Sequence, residues 1–418
     1  MGTPSRQRSG PEHTGITHTG KEATVPDLHT DVAIVGAGPA GLMLAHLLHA
    51  AGIDSVVIDN RSRDDIAATH RAGILEAASV RMLETPGIDS RVHSAGHRHD
   101  GIDVRVDGIS HPLDFPSLVG ESVWLYPQNE AFVDLAAARA RTGSPTFYSV
   151  TDTRLADIDS TSPSVRAVTE DGEQLSISAR YVVGADGSRS PSRASIPEAS
   201  RQRFFHEYPF AWFGILCQAP PSHEVLIYSR SDRGFALISQ RSADVQRMYF
   251  QADPGTDPDD WSDDRIWTEL QARVAGPDGF ELKTGPITDK VVLPFRSAVT
   301  EPMQHGSLFL AGDSAHTVPP TGAKGLNLAF ADVAVLAPAL VAALRDSDAE
   351  ALARYSTTAT KRVWKAQNFS YQMTRMLHTD PTADAFETKR SLGELTSLLD
   401  SEHGRRYLAE CYTGWPHG

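Results

Sequence analysis

The stretch DVAIVGAGPAGLMLAHLLHAAGIDSVVID, residues Asp31–Asp59, decides how this chain folds. It opens with the apolar run Val32–Val35, which has the right length for one buried parallel strand. After the turn GAGPAG, leucines recur on one face of Leu42–Ala51 and Gly52 ends the segment, as expected of a helix. A second apolar run, Val56–Ile58, follows. This order predicts a strand–helix–strand unit that binds a dinucleotide.

The glycines of the turn, Gly36, Gly38 and Gly41, have the G-x-G-x-x-G spacing. The first allows a tight turn, the second lets backbone approach a pyrophosphate, and the third lets helix and strand pack closely. Asp59 follows after about 20 residues, where a carboxylate accepts hydrogen bonds from a ribose. The alternative interpretation is a tight turn that binds no ligand, since such a turn can have the same glycines. The complete set of strands, helix and acid favours an ADP-binding site.

The composition is that of a globular protein of two or three domains. A net charge of −14 disfavours nucleic acid as a partner. The apolar run Val335–Leu344 is far shorter than the roughly 20 residues that cross a bilayer, and no secretory signal is recognisable. The only cysteines, Cys217 and Cys411, lack the spacing of metal ligands. We therefore expect a cytoplasmic protein with neither a metal site nor a membrane partner.

Two further polar positions have alternative interpretations. Asp313 follows the apolar run Leu308–Leu310 and is either a helix cap or a contact to the flavin or phosphate of a bound dinucleotide. Arg71 precedes a predicted helix and either meets a phosphate or forms a surface salt bridge.

Three separated motifs resemble the signature of FAD-dependent aromatic hydroxylases: the GAGPAG turn, Asp186-Gly187 and Gly312-Asp313. Strings such as PPTGAKGLN at 319–327 extend the resemblance from about residue 30 to the end of the chain, within that family to the 4-hydroxybenzoate hydroxylases. The resemblance implies an α/β fold with a Rossmann-like FAD-binding domain of the GR2 type, an antiparallel substrate sheet, a C-terminal helical segment and a homodimer. It also implies that O₂ and NADH or NADPH convert 4-hydroxybenzoate to 3,4-dihydroxybenzoate through a flavin hydroperoxide.

The resemblance and the changes in composition together predict five segments. Residues 1–27 are a disordered extension, and residues 28–203 form the FAD-binding domain. Alternating patterns indicate a substrate-binding sheet over 204–294. The chain returns to the FAD domain over 295–345 and ends in a helical interface region over 346–418.

By resemblance, Ser239, Arg241 and Tyr249 hold the substrate carboxylate, and a planar guanidinium matches a carboxylate well. Trp212 and Leu226 wall the substrate ring. The remaining predicted residues of the substrate site are Tyr228, Tyr412, His99, Pro320 and Thr321.

A proton relay is part of the same resemblance. Tyr228 bonds the substrate phenol, Tyr412 lies behind it, and His99 passes the proton to solvent. A phenolate pushes electron density into the ring, so the relay suits hydroxylation. Pro320 offers its carbonyl to the ring. Without the resemblance, the tyrosines would be interpreted as core residues and the histidine as a surface residue.

The resemblance also assigns cofactor residues. For FAD they are Gly36, Gly38, Gly41, Asp59, Arg71, Gln128, Arg247, Asp313, Gly322, Lys324, Gly325, Leu326 and Asn327. Positive charge on Arg247 and Lys324 would favour the anionic reduced flavin. For the nicotinamide they are Asn60, Arg61, Arg71, Arg189 and Arg296.

The sequence departs from the family pattern where NADPH-specific members carry basic and aromatic residues. Asn60, Arg61, Asp65 and Thr69 stand in that segment, and Ser188-Arg189 replaces a common Phe-His pair. A carboxylate disfavours a 2′-phosphate but can accept from a free 2′-hydroxyl. We predict the use of NADH, alone or alongside NADPH.

Two other functions remain open at this point. The chain could hydroxylate a related benzoate, such as 4-aminobenzoate or 3,4-dihydroxybenzoate, with the carboxylate site kept and the opposite end changed. It could also be a flavin-binding sensor of aromatic acids without catalysis, although a sensor would not need the predicted relay.

Overall fold

The computed structural model describes residues 1–2, 27–69 and 73–415. The predicted extension over 1–27 lies largely outside the described residues, and Asp27 already belongs to the first strand. Arg71, predicted to contact both FAD and the nicotinamide, also lies outside them.

The first sheet is the predicted dinucleotide-binding sheet. Asp27–Val35 pairs in parallel with Ser55–Ile58 on one side and with Gln174–Gly184 on the other. Helix Pro39–Ala50 makes the crossover and begins at a proline, which suits a first helical turn. The predicted Rossmann-like α/β fold is thereby confirmed. The other strands of this sheet are Thr146–Phe147, Thr151–Ala156, Ser164–Val168, Gln304–His305 and Leu308–Leu310.

The second sheet is the predicted substrate sheet and is mostly antiparallel. In spatial order its strands are His316–Thr317, Ile287–Glu301, Gln202–Gln218, Val245–Ala252, Gly234–Gln240, Leu226–Ser231, Gly101–Val106 and Ile109–Asp114. Strand Ile287–Glu301 runs without a break through position 294, where a segment boundary was predicted. The division into segments stays a prediction.

The two faces of the substrate sheet have different neighbours because side chains alternate along each strand. Ile227, Ile238, Met248 and Phe250 share a buried cluster with residues of helix Asp263–Val274. The opposite face packs against the C-terminal helices. That opposite face presents four of the predicted substrate residues, Trp212, Leu226, Tyr228 and Tyr249.

Short strands and helices complete the fold. A third sheet contains Ile74–Glu76, Val123–Leu125 and His97–His99. The other helices are Arg63–Ala68, Ala77–Leu83, Val92–Ala95, Phe115–Val119, Gln128–Thr142, Pro191–Ser195, Gly325–Arg345, Glu350–Ala353, Tyr355–Leu377, Ala385–Leu399 and Glu402–Thr413. Single 3₁₀ turns lie at Glu198–Ser200, Pro258–Asp260, Gly312–Ser314 and Pro320–Gly322.

Helix Gly325–Arg345 is longer than the apolar run seen in the sequence, and among the described helices it alone is long and apolar enough to cross a membrane. Most of its apolar stretch is buried inside the protein, where Phe330, Leu336 and Leu340 join the main core. The buried core helix of a globular protein can be equally long and equally apolar, so length and composition do not make this helix a membrane span.

Candidate active site

The glycine-rich turn is held by close backbone packing. Gly36 has φ +113°, and a Cβ there would lie 2.2 Å from the carbonyl oxygen of Ala185. A Cβ on Gly41 would lie 1.9 Å from the carbonyl oxygen of Gly36. Asp59 is buried and accepts from the amides of Ala37 and Arg61, each at 2.8 Å. These contacts connect the turn to the end of the second strand.

The space in front of this turn suits the ADP half of FAD. A Cβ on Gly38 would meet no atom within 4 Å. Helix Pro39–Ala50 starts there, and no side chain caps its N-terminus. Its first amides therefore point, with the positive end of the helix dipole, to where a pyrophosphate would bind.

The second glycine turn follows strand Leu308–Leu310. The buried Asp332 carboxylate accepts from Gly312 N at 2.8 Å and pairs with His316 Nε2 at 2.7 Å. Burial alone would lower the pKa of His316, but the Asp332 carboxylate outweighs burial and raises it. Asp313 is half-buried between these two anchored positions.

The predicted FAD residues after this turn differ in what their side chains contact. Lys324 is buried, and its Nζ donates to Glu76 Oε1 at 2.6 Å and to the Tyr412 carbonyl at 3.0 Å. The predicted effect of Lys324 on the flavin must therefore include the opposing charge of Glu76. A Cβ on Gly322 would lie 2.4 Å from Ser370 Oγ, so this turn packs tightly against helix Tyr355–Leu377.

The Asn327 side chain forms hydrogen bonds to other groups of the protein. Its Oδ1 accepts from Glu76 N at 3.0 Å and Ser79 Oγ at 2.7 Å, and its Nδ2 donates to two carbonyls. A contact to the cofactor would thus come from backbone. Gly325, by contrast, is exposed, and a Cβ there would meet no atom within 4 Å. No side chain caps the helix that begins at Gly325, and the next residue, Leu326, is half-buried.

The predicted nicotinamide residues fall into two places. Asn60 and Arg61 are exposed beside Asp59, with Arg61 Nε 3.7 Å from Asp59 Oδ1. Arg189 and Arg296 instead line a cavity of about 100 Å³ together with Asp313.

Two further arginines, Arg193 and Arg203, line the same cavity and were not identified from the sequence. Arg193 Nη1 donates to the Ser314 carbonyl at 2.8 Å, which joins the Asp186-Gly187 region to the second glycine turn. A local signal existed, because Arg193 lies just beyond the Asp186-Gly187 motif. Four guanidinium groups around one cavity make it suitable for an anion.

The predicted substrate residues that lie on strands of the second sheet share one of its faces. In the ladder, Ser239 pairs with Arg247, and Leu237 pairs with Tyr228 on one side and with Tyr249 on the other. Tyr249 pairs with Gly214, where a Cβ would lie 2.7 Å from the tyrosine ring. The glycine therefore makes room for the ring on this face.

Positive charge is concentrated beside Tyr249. The Arg247 guanidinium lies 5.3 Å from the Tyr249 ring, and Arg247 Nη1 is buried without a hydrogen-bond partner among the described residues. Burial and the nearby Arg247 lower the pKa of Arg241. Burial raises the pKa of Tyr249, and both arginines oppose that rise. Two cations in a partly buried site favour an anionic ligand.

Arg241 and Ser239 have fixed neighbours. Arg241 Nη2 donates to Asn129 Oδ1 at 3.1 Å. Asn129 was not predicted, and it stands next to the predicted Gln128 at the start of helix Gln128–Thr142. Ser239 Oγ donates to the Arg247 carbonyl at 2.6 Å. This helix of the FAD domain thus contacts the predicted carboxylate site directly.

Tyr228 and Tyr412 are buried, and their hydroxyl oxygens are 2.9 Å apart. Burial raises the pKa of Tyr228 to about 12, although the bond to Tyr412 partly opposes this. Burial and the adjacent Tyr228 raise the pKa of Tyr412. Both groups are therefore neutral hydroxyls at pH 7, each able to donate and accept a proton.

His99 is buried, whereas interpretation without the resemblance would put it on the surface. Among the described residues no hydrogen bond joins it to either tyrosine, so the predicted relay is not connected by direct hydrogen bonds from end to end. Its Nε2 lies 3.3 Å from Gln240 Nε2, and its Nδ1 is buried without a partner among those residues. Burial lowers the pKa of His99 to about 4, which leaves it neutral at pH 7.

Trp212 is buried, and its ring packs against Tyr249 with centroids 4.7 Å apart. Pro320 and Thr321 form a 3₁₀ turn, and the Thr321 hydroxyl bonds the Thr374 hydroxyl at 3.0 Å. His378, which the sequence did not single out, accepts from Trp212 Nε1.

A larger cavity of about 400 Å³ contains none of the predicted site residues. Phe210, Arg230, Arg375 and His378 are among the residues that line it. Among the described residues, no cluster of three or more His, Cys, Asp or Glu side chains could hold a metal ion.

Comparisons with known proteins agree with these features. The FAD binding domain family matches residues 29–370. A p-hydroxybenzoate hydroxylase of Acinetobacter baylyi is 42% identical over 391 residues, covering 93% of this chain and 96% of that protein. A 6-methylpretetramide 4-monooxygenase of Streptomyces rimosus is 28% identical, covering 87% and 88%. The structure of a p-nitrophenol 4-monooxygenase from Pseudomonas putida shares the fold, with a TM-score of 0.76 at 18% identity, covering 93% of this chain and 99% of that one.

Proposed function

This chain belongs to the FAD-dependent aromatic hydroxylases, and we propose that it converts 4-hydroxybenzoate to 3,4-dihydroxybenzoate. One O₂ and one NADH or NADPH are consumed, one oxygen atom enters the ring and the other leaves as water. One observation carries the proposal: a cationic site at Arg241 and Arg247 adjoins the sheet face on which Tyr228 contacts Tyr412.

The cationic end of the site binds the carboxylate in this proposal. Arg241 donates a hydrogen bond to Asn129, and the buried Nη1 of Arg247, which has no partner among the described residues, would donate to the bound anion. Ser239 and Tyr249 add hydroxyl groups on the same face. A charge-assisted contact of this kind contributes about 1.5–3 kcal/mol.

The tyrosine end removes the phenol proton. Tyr228 Oη accepts it while donating its own proton to Tyr412 Oη across the 2.9 Å contact, and Tyr412 releases its hydroxyl proton to a water molecule in the same step, so that both tyrosines stay neutral. His99, which contacts Gln240 and is neutral at pH 7, would receive the proton from that water molecule. Leu226 and Trp212 wall the ring, and Thr321 and the Pro320 carbonyl border its reacting edge.

FAD supplies the reduction of O₂ and the transfer of one oxygen atom. We assign its ADP half to Gly36, Gly38, Gly41 and Asp59, and a contact to its pyrophosphate or ribityl region to Gln128. The turn with Asp313 and the segment from Gly322 to Asn327 would hold the other half. The arginines of the 100 Å³ cavity would receive the nicotinamide cofactor, with Asn60 and Arg61 at its other end.

We further propose a cytoplasmic homodimer. Cys217 and Cys411 are free, buried thiols, which suits a reducing compartment. Trp364, Phe386 and Tyr407 expose aromatic surface on the C-terminal helices, as a subunit interface would. Light scattering at several protein concentrations tests the dimer.

Product analysis on a panel of benzoates tests the substrate assignment. We expect hydroxylated product from 4-hydroxybenzoate at a higher kcat/KM than from 4-aminobenzoate or 3,4-dihydroxybenzoate, because Tyr228 and Tyr412 best match a phenol. A higher kcat/KM for either of the other acids would replace the proposed substrate. A protein that binds FAD and ligand without oxidising NADH or NADPH would be a sensor.

A further inference from the structure

His378 lies at the end of helix Tyr355–Leu377 and contacts the predicted substrate wall. Its Nε2 lies 2.7 Å from Trp212 Nε1, and its Nδ1 lies 2.8 Å from the Thr374 carbonyl oxygen. Its backbone amide donates to the same carbonyl at 3.1 Å. The imidazole is thereby fixed at both nitrogen atoms, and its exposed fraction is only 3%.

The two partners determine the proton positions on this ring. An indole N–H can only donate, so Nε2 of His378 must accept. A carbonyl oxygen can only accept, so Nδ1 must carry the proton. A protonated imidazole would lose the bond to Trp212. Burial keeps the ring neutral by lowering the pKa of His378 to about 3.

Aromatic rings cover both sides of the imidazole. Phe210 stacks on it with centroids 4.6 Å apart and planes 8° apart, and Phe235 stacks at 4.4 Å and 27°. Phe235 also stacks on Trp212 at 5.3 Å. The indole is therefore oriented by a stack and by one hydrogen bond in its plane, and His378 supplies that bond.

We propose that His378 is a positioning residue that sets the orientation of Trp212 and, through it, the position of the substrate ring. The inference rests on the proposed function, because Trp212 is assigned to the substrate wall there. His378 itself touches neither substrate nor flavin in this account. Loss of the His378 side chain should loosen the hold on the substrate ring and uncouple NADH or NADPH oxidation from hydroxylation.

Holoenzyme variants test this role. His378→Phe keeps an aromatic ring in the stack but offers no acceptor, whereas His378→Gln keeps an amide oxygen as acceptor. We expect His378→Phe to raise the Kd for 4-hydroxybenzoate about 5-fold, the effect of one hydrogen bond. Product formed per NADH or NADPH oxidised should fall, with FAD content and the kcat of oxidation unchanged. His378→Gln should restore part of both losses. His206→Phe, on an exposed histidine in the same strand as Trp212, is the matched control.

A double variant shows whether the effect passes through Trp212. In the Trp212→Phe background the donor is gone, so adding His378→Phe should cause little further loss. Additive losses would overturn the proposal. Wild-type behaviour of His378→Phe, in an enzyme that hydroxylates 4-hydroxybenzoate, would also overturn it. Neither result would contradict the proposed function. A wild-type enzyme that does not bind 4-hydroxybenzoate would overturn the proposed function and this inference together.

Discussion

The hydroxyl groups of Tyr228 and Tyr412 form a buried hydrogen bond of 2.9 Å between a strand of the substrate sheet and the last described helix. These residues lie 184 positions apart in the chain, and we propose that they act as one proton-transfer unit at the phenol end of the site.

Tyr412→Phe removes the proton acceptor behind Tyr228. We expect the rate of product formation to fall about 10-fold or more, because Tyr228 then has no partner to receive its proton. The Kd for 4-hydroxybenzoate should change much less. Stopped-flow and equilibrium titration separate the two effects. Tyr407→Phe is the control, since Tyr407 is an exposed tyrosine on the same helix. Equal losses in the two variants would argue against the relay.

Arg241→Gln removes a cation from the proposed carboxylate site. The Kd for 4-hydroxybenzoate should rise about 100-fold, the effect of losing a charge-assisted contact in a partly buried site. Affinity for phenol, which lacks the carboxylate, should hardly change. Arg233→Gln provides a control on an exposed arginine that pairs with Glu269. If the acid keeps its advantage over phenol in Arg241→Gln, the carboxylate binds elsewhere.

Gly38→Ala should impair FAD binding, whereas Gly41→Ala should impair folding. A methyl group on Gly38 meets no protein atom within 4 Å, so the protein should fold normally but lose FAD. One on Gly41 would lie 1.9 Å from a backbone oxygen, so the free energy of unfolding should fall by about 1–3 kcal/mol even without FAD. Urea unfolding and flavin content of the purified proteins distinguish the two. Full flavin content in Gly38→Ala would contradict the pyrophosphate assignment.

The buried histidines His99 and His378 should each reduce stability as the pH is lowered below about 6.5, whereas His316, whose pKa is raised, acts in the opposite direction. Burial lowers the pKa of His99 to about 4 and that of His378 to about 3. Between these values and the ordinary pKa of 6.5, the unfolded chain takes up protons that the folded chain cannot. From pH 7.5 to 5.5 each histidine should cost about 1 kcal/mol of unfolding free energy. Urea titrations of the wild type and His378→Gln should show a smaller fall in the variant. An equal fall would mean that His378 is not buried as a neutral ring.

The local patterns predicted the core of the fold. Val32–Val35 and Val56–Ile58 lie in adjacent parallel strands, as their apolar runs indicated. Strand Ile287–Glu301 crosses the segment boundary predicted at position 294, and the sequence does not show its extent because its residues are mostly half-buried without clear alternation. Side chains partly covered on both faces give a weak periodic signal.

Most of what the sequence did not reveal consists of polar contacts between distant segments. Asn327 contacts Ser79 across 248 positions, and Lys324 pairs with Glu76 across the same interval. His378 meets Trp212 across 166 positions. A hydrophobic pattern records which face is buried and carries no information about the partner of a buried polar group. The resemblance supplied roles for some residues, but not for His378, Asn129 or Arg193.

The central claim is tested most directly by supplying 4-hydroxybenzoate with NADH or NADPH and identifying the product by chromatography. We predict that the substrate stimulates oxidation of NADH, with or without use of NADPH, and that 3,4-dihydroxybenzoate forms in step with it. Stimulated oxidation that yields only peroxide, or no stimulation by 4-hydroxybenzoate with either nucleotide, would contradict the account.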